Sequence, residues 1–103
     1  EEHITKTGTT LRTMAYMSPE QLKGVELNQQ ADIWSFGVIP YELFSGQLPF
    51  QGMYEPAIMY SIVEEEPTPI HKLVSNIPES IVRVIGRCLQ KDLQQRYSDF
   101  NNI

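Results

Sequence analysis

Ala31-Asp32-Ile33-Trp34-Ser35-Phe36-Gly37-Val38-Ile39-Pro40-Tyr41-Glu42-Leu43-Phe44 is the run whose reading decides the fold. Its apolar side chains point to every side instead of along one stripe, the pattern of a helix surrounded by protein. The run is too short for a membrane span, which takes about 20 apolar residues. Ser45-Gly46 closes it at the C-terminal side. The pattern predicts a buried axle with short elements packed around it.

Working outward, Asp32 lies near the start of this helix, where a carboxylate can accept backbone N–H groups. Pro40 removes a backbone donor and crowds the Phe36 carbonyl, at a typical cost of ~3 kcal/mol in a helix interior. A kink or a new segment is expected there. Upstream, Ser18 caps a short helix with Pro19 at its first position and Gln21 where a capping box wants Glu or Gln. Glu20 in that first turn favours the helix dipole. Residues 1–12 are polar, rich in Thr and aperiodic, so they read as a loop.

Downstream, Leu48-Pro49-Phe50-Gln51-Gly52 is turn chemistry with two apolar anchors. A helix starts near Glu55-Pro56, puts Ile58, Met59, Ile62 and Val63 on one face, and stops by Pro67. Thr68 to Asn76 reads as an extended connector. A third helix starts around Pro78-Glu79 with Ile81, Val84, Ile85, Cys88 and Leu89 inward and Arg83, Arg87 and Gln90 outward. Ser98-Asp99 looks like the cap of a last helix. With no repeat and no strand pattern, the fold class is all-α.

The chain has 103 residues, 41% apolar and 20% charged, which suits one ordered domain with a modest core. A net charge of −5 argues against nucleic acid or an anionic membrane as partner. Cys88 is the single cysteine, which excludes an internal disulfide and points to a reducing, cytoplasmic setting. His3 and His71 lack a Cys or carboxylate at ligand spacing, so no metal site is expected. A first residue of Glu instead of Met suggests a piece of a longer chain.

Three segments together resemble the C-terminal part of a Ser/Thr protein kinase catalytic domain, closest to the bacterial type. Thr13-Met14-Ala15-Tyr16-Met17-Ser18-Pro19-Glu20 is similar to the end of the activation segment, with Ser18-Pro19-Glu20 at the Ala-Pro-Glu motif. Asp32-Ile33-Trp34-Ser35-Phe36-Gly37 resembles the central helix of the large lobe. Lys91-Asp92-Leu93-Gln94-Gln95-Arg96-Tyr97 resembles its late Arg-containing turn. The resemblance implies a partial kinase domain over 1–103, with the activation segment at 1–20 and the helical remainder of the large lobe at 21–103.

The same resemblance implies roles. Glu20 and Arg96 pair in the interior, where a desolvated carboxylate wants a fixed bidentate partner. Asp32 braces the catalytic loop, and Trp34 packs beside it. Thr13, Tyr16 and Met17 face the substrate, Thr13 with the Ser/Thr spelling, and Thr9, or else Thr10, takes the activating phosphate. Glu42 matches an acidic position that contacts basic substrate residues in some members, although Glu also serves plain helix solubility. Arg12 stands where the family carries Gly, which bears on the tight backbone path there. Pro40 replaces an aliphatic residue and Leu93 a Pro.

Phosphoryl transfer in this family needs a Gly-rich loop, a strand Lys with a helix Glu, a catalytic Asp with its Asn, and an Asp for Mg²⁺. None of these motifs occurs in the sequence. Two function classes are consistent with that. One is the substrate-facing fragment of a Ser/Thr kinase, inactive alone, using ATP and Mg²⁺ and acting on protein substrates only with its upstream part present. The other is a non-catalytic, pseudokinase-like interaction module. It self-associates as a homo-oligomer through apolar surface around Ile33, Trp34, Phe36 and Val38 left uncovered by the missing partners.

Overall fold

A computed structural model describes residues 11–103, and these are helical with no strand among them. Residues 11–14 form one helical turn. Beyond it come α1 (Pro19–Lys23), α2 (Gln29–Ser45), α3 (Glu55–Glu64), α4 (Ile70–Leu73), α5 (Glu79–Cys88) and a 3-10 turn, Phe100–Asn102. The all-α expectation, with the other elements gathered on one central helix, holds for this region.

Capping decides where the helices begin. At α1, the Gln21 N–H donates to Ser18 Oγ (3.3 Å) and the Ser18 N–H donates to Gln21 Oε1 (2.8 Å), a reciprocal box with Pro19 first inside. At α2 the cap is Asn28, whose Oδ1 accepts from the Gln30 N–H at 2.8 Å. Asp32 lies in the first turn, as expected, but its side chain is exposed and the capping contact is made by Asn28 instead.

Pro40 sits inside α2, which continues unbroken to Ser45, so no new segment starts there. Gly46 closes the helix at φ 75°, its N–H donating to the Glu42 carbonyl at 2.8 Å. Burial on both sides of the proline holds the helix together: Gly37, Val38 and Tyr41 are all in the core.

The prediction of burial all round α2 fails along one stripe. Trp34, Val38 and Tyr41 join Phe50, Ile58, Ile62, Ile70, Ile85 and Leu89 in one core cluster. Ile33, Cys88 and Tyr97 form a second, smaller one. Ile33, Trp34 and Val38 are therefore fully covered, contrary to the expectation that they stand partly open. The uncovered residues are Phe36 (43%), Ile39 (49%) and Leu43 (79%), with Phe44 beside them. The loops and helices downstream bury one side of α2 and leave the other exposed, apart from an edge-on contact of Phe100 with Phe36, their centroids 5.7 Å apart.

Close approach explains Gly37. A methyl group there would lie 2.4 Å from Cys88 Cβ, so only glycine lets α2 and α5 come together. Trp34 stacks on Phe50 with centroids 5.3 Å apart and 14° between planes. The connector after α3 is not extended throughout: α4 forms because Ile70 buries its side chain while Pro69 opens the turn. On α3, Ile58, Ser61 and Ile62 face inward, whereas Met59 is exposed. Asp99 does cap the last element, accepting from the Asn101 N–H at 2.9 Å, but that element is only the 3-10 turn.

Candidate functional site

Glu20, from the first turn of α1, lies under Arg96, from the turn after α5. Arg96 Nη1 donates to Glu20 Oε2 at 2.6 Å and Nη2 to Oε1 at 3.1 Å, a bidentate pair. The Arg96 side chain is 0% exposed and that of Glu20 10%. Arg96 also donates to the Gln90 and Gln30 carbonyls, both at 2.8 Å, and lies 5.0 Å from the Trp34 ring centroid. One buried guanidinium thus joins α1, the start of α2 and the turn after α5. Burial pushes the Glu20 carboxyl up. The Arg96 hydrogen bonds, backbone N–H, Arg96 charge and Ser18 hydroxyl outweigh that and hold it below the ordinary carboxylate value.

This anchor fixes the segment just before it against α2, at Ser35 in its N-terminal half and Glu42 in its C-terminal half. The Ser35 hydroxyl donates to the Tyr16 carbonyl at 2.7 Å. The Tyr16 hydroxyl donates a short hydrogen bond to Glu42 Oε1. Arg12 Nη2 reaches both Glu42 Oε2 and the Tyr16 hydroxyl at 3.1 Å. The hydrogen bond from Tyr16, stronger than the effect of burial and joined by Arg12, holds the Glu42 carboxyl low. The same bond raises the Tyr16 phenol above its usual value. Arg12 lies in the helical turn with negative φ, so the path normally given to glycine is taken here by a residue of ordinary backbone.

Thr13 is exposed at this edge, Met17 is half-buried behind it, and Asp32 lies on the exposed side of α2. Trp34 is buried, and its Nε1 has no hydrogen-bond partner among the described residues. Thr9 and Thr10 lie outside the described residues. Glu20 and Arg96 are brought together, as are Tyr16 and Glu42. Thr13 and Asp32 stand apart from both groups, with no side-chain hydrogen bond among the described residues.

Sequence reasoning passed over Lys91 and Gln30. Lys91 Nζ donates to the Ile62 carbonyl at 2.6 Å and lies 4.5 Å from the Phe50 ring centroid and 5.4 Å from that of Trp34. Burial pushes its ammonium below the usual lysine value, against the pull of Glu66, Glu64 and Glu65. The Gln30 amide donates to the Leu93 carbonyl at 2.9 Å and the Tyr97 carbonyl at 3.1 Å, clamping the turn that carries Arg96. Burial pushes the Cys88 thiol up to about 11, leaving it unreactive.

A short helix pinned by a buried Glu–Arg pair to a tryptophan-bearing central helix is the arrangement of a protein kinase large lobe. A family model for protein tyrosine and serine/threonine kinases matches residues 1–103, and the chain belongs to that family. It is 34% identical over 99 residues to the probable serine/threonine-protein kinase PknB of Lactococcus lactis, covering 96% of this chain and 16% of that protein. It is 31% identical over 94 residues to the serine/threonine-protein kinase PknB of Mycolicibacterium smegmatis, covering 91% and 15%. Among solved structures, the twitchin kinase region of C. elegans superposes with a TM-score of 0.76 at 27% identity, covering 82% of this chain and 15% of that one. The chain corresponds to the C-terminal part of the kinase domain and spans about one sixth of the length of these bacterial relatives.

No helix of the described residues is long and apolar enough to cross a membrane. Among the described residues no group of three or more His, Cys, Asp or Glu side chains is placed to hold a metal ion.

Proposed function

We propose that this chain is the substrate-facing part of a Ser/Thr protein kinase. In the complete protein, which binds ATP and Mg²⁺ through its upstream part, phosphate passes to Ser or Thr of protein substrates. This chain alone neither binds the nucleotide nor transfers phosphate. It supplies the platform: Thr13, Tyr16, Met17 and Glu42 form the edge that meets the substrate, and Thr9 or Thr10 takes the activating phosphate. Asp32 and the apolar stripe beside it receive the catalytic loop and the preceding helix.

The observation that supports this best is the fixing of residues 12–20 onto α2, by Arg96 at one end and Ser35 and Glu42 at the other. A platform of that kind holds a peptide in register for chemistry done elsewhere. Calorimetry of the isolated chain with ATP–Mg²⁺ tests the reading: no heat of binding is expected, and micromolar binding would end it. In the complete protein, acid hydrolysis of labelled product is expected to yield phosphoserine and phosphothreonine.

The exposed Phe36, Ile39, Leu43 and Phe44 favour a second reading, a non-catalytic module that self-associates through this face. Light scattering distinguishes the two. A monomer at high concentration contradicts self-association, and a concentration-dependent dimer lost in Leu43→Lys supports it.

A further inference from the structure

Arg12, Tyr16 and Glu42 make a closed set of contacts at the platform edge. Both carboxylate oxygens of Glu42 are taken, Oε1 by the Tyr16 hydroxyl and Oε2 by Arg12 Nη2. The Glu42 side chain is three-quarters covered, at 25% exposure, whereas Arg12 remains 62% exposed. Only Nη2 of the Arg12 guanidinium has a partner among the described residues. The carboxylate is therefore built in, held by a phenol from below, and the cation is a lid laid over it from solvent.

We propose that Arg12 is an internal occupant of a cation site centred on Glu42, so that this surface takes peptides without drawing on a basic side chain. The proposal rests on the substrate-facing reading and names its specificity. With both oxygens engaged and the side chain three-quarters covered, an incoming arginine cannot take Glu42 as an open bidentate acceptor, and the guanidinium of Arg12 repels it at contact distance. Exposed ion pairs are weak, so Arg12 is held there chiefly by its position in the same polypeptide, at high local concentration. Arg12 also forms a wall of a cleft of about 250 Å³ floored by Leu11, Ala15, Leu48, Phe50 and Ile58. An apolar peptide side chain fits that cleft, and a basic neighbour would then fall on Glu42 if the lid were gone.

The probe is a short capped peptide with leucine beside arginine, compared with one carrying citrulline, which keeps the shape and loses the charge. Amide shifts of Tyr16 and Glu42 are followed by NMR as each is added to the chain. Wild type is expected to show no preference. Arg12→Ala is expected to favour the arginine peptide by about fivefold, the upper end for one exposed ion pair. Arg12→Gln, which keeps an amide over Glu42, should gain less, and Arg12→Ala with Glu42→Gln should lose the preference. Arg12 is exposed, so far-UV circular dichroism of the variants should match wild type. An arginine preference in wild type, or none in Arg12→Ala, overturns the proposal. Phosphate transfer by the complete protein is read separately, so failure of the kinase reading leaves this binding result standing.

Discussion

The Arg96 guanidinium is engaged at all three nitrogens, on Glu20, Gln30 and Gln90, and none of it meets solvent. Replacing it with Met strands a mostly buried carboxylate, and urea unfolding should show a loss of about 3–5 kcal/mol. Glu20→Gln keeps the shape but leaves the fully buried Arg96 charge without its counter-ion, and should likewise lose about 3–5 kcal/mol. The two differ in pH response. The folded Glu20 carboxyl titrates below its free value of 4.5, so the folded state binds its proton later than the unfolded one. Its contribution is complete above that value and is lost as pH falls through the lowered one. Wild type should therefore lose stability on acidification over that window, and Glu20→Gln should flatten the acid limb. A motif legible in the sequence led to this pair although 76 positions separate its members. Lys91 and Arg12 were not legible in the same way. Their partners, the Ile62 carbonyl, the aromatic rings and Glu42, are set by packing alone, and no local pattern marks a lysine in a polar turn as half-buried.

Helix α2 carries the conflict between local chemistry and tertiary packing. Pro40 leaves the Phe36 carbonyl without its helical donor, yet the helix persists because core residues flank the proline on both sides. Pro40→Ala should restore that rung. The gain is up to about 3 kcal/mol from the helix, less about 1 kcal/mol for the freer unfolded chain. A net rise of about 2 kcal/mol in urea unfolding is expected, and a loss would mean that the proline ring is needed where it packs. Elements whose signal is local were readable: the Ser18–Gln21 box, the Gly46 stop, and the starts of α3 and α5. Elements decided by what lies against them were not. The Asn28 cap displaced Asp32, and α4 arose inside an apparent connector because Ile70 found a place in the core.

At the scale of the molecule, the sequence showed that α2 is apolar all round but could not show which side this chain itself covers. The downstream helices pack on the Trp34 side, while Phe36 meets only the edge of Phe100, and Phe36, Ile39 and Leu43 stay exposed. We read that exposed side as the seat of the upstream part of the kinase domain. Leu43 is 79% exposed and can carry a reporter thiol as Leu43→Cys, while Cys88 stays buried and unreactive. The most direct test is the rate at which a thiol reagent modifies position 43, read by mass spectrometry at low protein concentration, in this chain and in the complete protein. Fast modification is expected in the chain alone, and modification slower by about tenfold or more when the upstream part is present. Equal rates in the two would contradict that seating.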